Sequence, residues 1–168
     1  MKRFLERSFP PGYGCKTELT AIFITLGAGV LISLFSFLSA FFAARRTLYI
    51  RRGAELILDE SSVMPDFVYI LGDKLLILLI LAALIFVLAT MIHYAYYQNG
   101  SRSIYLMRRL PNRFELHRRC LVVPLISALV FVLIAAFLLL IYYAVYMRFT
   151  PEVCLTPNQW QKLGRVFQ

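Results

Sequence analysis

The sequence predicts an all-α integral membrane protein with three transmembrane helices, a short cytoplasmic coupling-type helix and a small external cap. Of its 168 residues 60% are hydrophobic and only 16% charged, against about 45–50% and about 25% in soluble domains. The apolar residues gather in three uncharged blocks, residues 19–44, 75–97 and 121–147. Each block exceeds the roughly 20 residues that an α-helix needs to cross about 30 Å of hydrocarbon. Without water the backbone must close its own hydrogen bonds, and apolar runs lacking two-residue alternation exclude a β-barrel.

Residues 1–18 form an interfacial segment. Phe4, Leu5 and Phe9 alternate with Lys2, Arg3 and Arg7, as in a basic segment lying on headgroups, and Pro10-Pro11 ends it. The first apolar block is too long for the core of a signal peptide and lacks a good small-x-small cleavage site, so it is expected to remain as a span. On it Ala21, Thr25, Gly29 and Ser33 recur at every fourth residue, and Ser36 and Ala40 carry the series on. Small residues so spaced let a second helix approach closely, which makes these the expected helix-packing residues.

Residues 45–74 are expected to form the external cap. They mix Arg45, Arg46, Arg51 and Arg52 with Glu55, Asp59, Glu60, Asp66 and Asp73. No helical spacing is evident over residues 47–58, and Gly53 marks a bend. The second block ends among Tyr94, Tyr96 and Tyr97, so His93 beside them reads as an interfacial residue of an aromatic belt.

In the connection 98–120, Ser101 or Ser103 caps a short helix over residues 104–110, which Pro111 stops. Asn112 with Glu115 three places later has the form of a capping box, so the third helix is expected to begin near Arg113. In the tail, residues 148–168, Thr156 and Pro157 read as an N-cap and first helical residue. They would open a short helix over residues 158–166 with Trp160 at the interface.

The formal net charge is +9, yet the basic residues flank apolar blocks, where they anchor helices at headgroups; nucleic acid is not an expected partner. Ten of the 18 Lys+Arg lie in residues 1–18 and the 98–120 connection. The positive-inside rule therefore places the N-terminus and that connection in the cytoplasm and the C-terminus outside.

The sequence carries no G-x-x-x-x-G-K-[ST] loop, no H-E-x-x-H and no G-x-S-x-G. Cys15, Cys120 and Cys154 fall in three segments without metal-ligand spacing, so no disulfide framework, metal or cofactor is expected. No Asp, Glu, Lys or Arg lies inside an apolar block, so the usual mark of a proton relay is missing. The protein is not expected to be an enzyme.

Ile104, Met107 and Leu110 share one face of the short helix, while Arg108 and Arg109 point elsewhere. Such a corner suits docking of a soluble protein and equally suits anionic headgroups. The stretch Ser103-Ile-Tyr-Leu-Met-Arg-Arg-Leu-Pro-Asn-Arg-Phe-Glu-Leu-His-Arg-Arg119 resembles the connection in small bacterial membrane proteins associated with ABC transporters. The layout is similar to the first half of an ABC-2-type permease, with residues 1–9 as its interface helix and residues 103–110 as its coupling helix.

The resemblance implies that Ile104, Tyr105, Met107, Arg108, Arg109, Arg113 and Glu115 dock a separate ABC-type ATP-binding subunit. ATP would be bound by that partner, and this chain would be a non-catalytic transporter subunit of the bacterial plasma membrane. ABC-2 permeases usually have six spans per half-transporter. Three spans here imply several copies, a separate permease subunit, or an accessory role. The alternative is a membrane-bound regulatory or scaffold protein without an ATPase partner.

Overall fold

The structure is a computed structural model and describes residues 15–52, 55–58, 62–98, 113–155, 158, 161 and 162. The chain forms helix α1 (Cys15–Arg46), strands β1 (Tyr49–Arg52) and β2 (Glu55–Leu58), short helix α2 (Phe67–Leu71), helices α3 (Leu76–Gln98) and α4 (Arg113–Phe149), and a 3-10 turn at Glu152–Cys154. Three of these contain spans, Lys16–Arg46, Leu76–Tyr97 and Leu116–Phe149.

The 23 residues of α3 reach roughly 35 Å at 1.5 Å per residue, enough for the hydrocarbon. The 32 residues of α1 and 37 of α4 reach roughly 48 Å and 55 Å. These two helices therefore run past the apolar blocks that define them in sequence. Polar residues are tolerated in the extra turns because helix ends reach the headgroups, where long basic side chains extend to water. Arg45 and Arg46 close α1 and Arg148 closes α4, each cation meeting the partial negative charge of a carbonyl terminus.

Protein buries only 17%, 22% and 28% of the apolar windows of the three spans. Phe23, Ile24, Phe35, Leu133 and Phe137 are each more than half exposed. A water-soluble protein does not present apolar surface on this scale, whereas lipid tails are as apolar as these side chains. The protein is a multi-pass membrane protein.

The chain divides into two compact units, Met1–Gly29 with Leu78–Ile134, and Val30–Ile77 with Ala135–Gln168. In the first, α1 meets α3 at Gly29. A Cβ there would lie 2.8 Å from Leu81 Cδ1 and 3.1 Å from Leu78 Cδ2, so the bare Cα is what admits the two leucines.

The second unit has an aromatic core. Phe37 stacks on Tyr142 with ring centroids 4.2 Å apart and planes 8° from parallel. Phe41, Phe67 and Tyr146 surround that stack, each such pair adding about 0.5–1.5 kcal/mol beyond simple burial. Ser33 Oγ donates to the Lys74 carbonyl at 2.8 Å, which uses its only hydrogen, so the Tyr142 hydroxyl donates to Ser33 Oγ at 2.9 Å. Tyr146 donates likewise to the Pro65 carbonyl at 3.0 Å.

The segment lacking helical spacing forms an antiparallel hairpin whose register places Ile50 opposite Ile57 and Arg52 opposite Glu55. The expected bend at Gly53 lies between the strands, outside the described residues. In α2, Phe67, Ile70 and Leu71 are buried, the i, i+3, i+4 stripe of an amphipathic turn. Gly72 follows with φ +41°, a conformation that glycine adopts without strain.

In the tail, the Met64 N–H donates to the carbonyl of buried Cys154 at 3.0 Å. Asn158 has φ 61°, and its carbonyl accepts from the N–H groups of Gln161 and Lys162. A helical turn thus opens at residue 158; Thr156, Pro157, Trp160 and residues 163–166 lie outside the described residues. Lys162 Nζ lies 2.7 Å from Asp66 Oδ1, with both side chains well exposed, so the pair contributes about 0–1 kcal/mol.

Replacing Gly29 with Leu is expected to cost about 1–3 kcal/mol by overpacking against Leu78 and Leu81. Gly27→Leu, where nothing lies within 4 Å of the added Cβ, is expected to change stability by no more than about 0.5 kcal/mol. Unfolding of the two variants in lipid bicelles measures the difference.

Candidate functional site

The polar centre of the first unit draws one residue from each spanning helix. Glu18 stands in the first turn of α1, His93 in the closing turns of α3, and Cys120 in the opening turns of α4. His93 is fully buried. Its Nε2 lies 2.9 Å from Glu18 Oε2, and its Nδ1 lies 3.1 Å from the Cys120 carbonyl oxygen. The Glu18 side chain is only 12% exposed. His93 is thus buried against protein, and Glu18 stands directly before the first apolar block, which itself holds no acidic residue. Helix α1 begins at Cys15, about one turn before the apolar block, and carries Glu18 in that first turn.

The cause of the Cys120 contact is written in α4. Pro124 sits inside that helix, and proline has no N–H to give to the carbonyl four residues earlier. That carbonyl belongs to Cys120. In a span a freed carbonyl must be satisfied by a neighbouring group, and the His93 ring supplies it. A carbonyl oxygen can only accept, so Nδ1 carries a hydrogen and donates it. This choice leaves Nε2 to face Glu18.

Glu18 and His93 lie where each is the other's partner. Glu18 Oε1 is buried and has no hydrogen-bond partner among the described residues. Close by in sequence, the hydroxyl of Tyr94 and His117 Nδ1 share a hydrogen bond, a second link between α3 and α4 on an exposed face. Arg119 neighbours the Tyr97 hydroxyl. Among the described residues no group of three His, Cys, Asp or Glu is placed to hold a metal ion. A carboxyl facing an imidazole can bind and release protons.

The expected helix-packing residues are distributed unevenly. Gly29 and Ser33 are buried, Thr25 and Ala40 half-buried, and Ala21 and Ser36 exposed. The Thr25 hydroxyl donates to the Ala21 carbonyl of its own helix at 2.8 Å. A spacing of four turns about 40° further round a 3.6-residue helix at each step, so such a series winds around the helix surface. The buried line of α1 runs Gly29, Ser33, Phe37, Phe41, with aromatics in its C-terminal half beside the smaller Ser36 and Ala40. Of the expected docking residues, Ile104, Tyr105, Met107, Arg108 and Arg109 lie outside the described residues. Arg113 and Glu115 fall in the first turn of α4.

Glu18 escaped the sequence reading because it lies one residue outside the first apolar block. A proline at 124 inside the third block was the available signal, since it announces a bare carbonyl that another span must satisfy. Comparison with known protein families, curated proteins and solved structures finds no match for this chain.

His93→Leu, close in volume, strands both the Glu18 carboxyl and the Cys120 carbonyl and is expected to cost about 3–5 kcal/mol. Adding Pro124→Ala returns an in-helix donor to the Cys120 carbonyl and is expected to recover about 1 kcal/mol. Stability of the single and double variants in bicelles reads both terms.

Proposed function

We propose that this chain is a non-catalytic membrane subunit of an ATP-driven, ABC-2-like transporter, coupling a separate ATPase to helix motion through residues 103–115. The observation that supports this reading is the form of α4. It begins at Arg113 and continues to Phe149 as one helix. Arg113 and Glu115 therefore belong to the same rod as the third span, so a displacement applied at the connection is carried into the membrane. The partly covered apolar faces of the spans leave room for further copies or another membrane subunit to complete a pathway. The N-terminus and the arginine-rich connection face the cytoplasm in this reading, and the C-terminus lies outside.

Arg108→Glu combined with Arg109→Glu is expected to abolish co-purification with an ATP-binding-cassette protein and the stimulation of its ATPase. Association and stimulation that survive the charge reversal would sink the coupling role. Recovery of a partner irrespective of nucleotide would favour the regulatory or scaffold alternative.

Topology has its own test. Val153 is 69% exposed, whereas its neighbour Cys154 is buried. In a Cys15→Ser background, Val153→Cys is expected to react with a membrane-impermeant maleimide in intact cells, and the parent with native Cys154 is not. Labelling of Val153→Cys only after lysis would put the connection outside and remove the docking surface.

A further inference from the structure

We propose that Glu18 and His93 form a proton-binding site at one end of the spanning helices, in which one exchangeable proton shared by carboxyl and imidazole clamps α1, α3 and α4 together. This inference rests on the geometry of the three helices and is independent of the ATPase reading.

Nδ1 of His93 keeps its hydrogen because the Cys120 carbonyl can only accept, and Pro124 has taken away that carbonyl's donor within the helix. The exchangeable hydrogen is therefore the one between Nε2 and Oε2. A contact of 2.9 Å between these atoms is a hydrogen bond in two forms, imidazolium with carboxylate or neutral imidazole with carboxylic acid. Both forms contain the same number of protons and the same net charge of zero. Removing the proton leaves two lone pairs facing each other where little water can screen them. Supplying a second proton finds Glu18 Oε1, a buried acceptor without a partner among the described residues. Either change acts on the contact that joins α1 to α3.

Among the residues whose side chains are described, the other charged and titratable groups are placed differently on the same helices. On α1, Lys16 is exposed. On α3, Tyr94 is engaged by His117 and Tyr97 neighbours Arg119. On α4, His117 and Arg118 are exposed, Arg119 is half-buried and the Cys120 thiol is buried. Glu18 and His93 are thus the pair through which all three spans sense one proton. The site lies near the ends of α3 and α4 that residues 99–112 join, so occupancy by the proton bears on the same helix ends as that connection.

The test uses the full chain in lipid nanodiscs with ¹⁵N-labelled histidine. The protein has two histidines, so His117→Gln leaves the signal of His93 alone. Its ring nitrogens are followed from about pH 5 to about pH 9, the range that brackets imidazole exchange. The expected result is a reversible shift of Nε2 while Nδ1 keeps its hydrogen. Glu18→Gln retains a donor to Nε2 in its amide, and is expected to abolish this transition with the fold intact. Should Glu18→Gln not fold, Glu18→Asp, one methylene shorter, is expected to move the midpoint. A His93 signal constant over the whole range overturns the proposal. So does a transition whose midpoint is unchanged in whichever Glu18 variant folds.

Discussion

Pro124 removes one backbone donor from a helix that has no water to replace it, and the first unit is arranged around that loss. The Cys120 carbonyl, left without its in-helix partner, takes the Nδ1 hydrogen of His93. The other ring nitrogen is thereby turned to Glu18. One missing N–H in α4 thus recruits a side chain from α3 and, through it, a carboxyl from α1. A bare carbonyl in hydrocarbon costs several kcal/mol, which is more than most single contacts between spans contribute. This is why a histidine fully removed from solvent is sustained at this point.

The second unit meets the same requirement with neutral groups. Ser33 passes its hydrogen to the Lys74 carbonyl and receives one from Tyr142, while Tyr146 satisfies the Pro65 carbonyl. The rings that carry these hydroxyls also form the aromatic core, so each tyrosine contributes packing and a hydrogen bond from the same side chain. Neutral hydroxyl-to-carbonyl bonds do not depend on the protonation of a carboxyl or imidazole. The two units therefore differ: a carboxyl and an imidazole link helices of the first, whereas neutral hydroxyls satisfy the Lys74 and Pro65 carbonyls of the second.

Most of the surface of the three spans faces lipid or other protein. Few contacts hold a small bundle of this type together, and those few sit at defined places. Gly29 admits two leucines of α3, the aromatic stack joins Phe37 to Tyr142, and the Glu18–His93–Cys120 cluster ties three helices.

The uncharged lengths of the apolar blocks determined that there are three helical spans, and the third helix, expected from near Arg113, is described from that residue. Both expectations rest on local signals, since hydrophobic length and capping chemistry are complete within a few turns of chain. The four-residue series on α1 showed that a packing face exists but not which members are used; Gly29 and Ser33 are buried, whereas Ala21 and Ser36 face outward, because a neighbouring helix meets a winding series only where the two axes come close. The hairpin over residues 49–58 was legible only as the absence of a helix, because strand pairing needs a partner strand to become visible. Tertiary structure alone decided that His93 lies inside and that Glu18, 75 positions away in the chain, is its partner. No local pattern contains that pairing: it arises when three helices bring a carboxyl, an imidazole and a proline-freed carbonyl to one depth in a medium where each must find another.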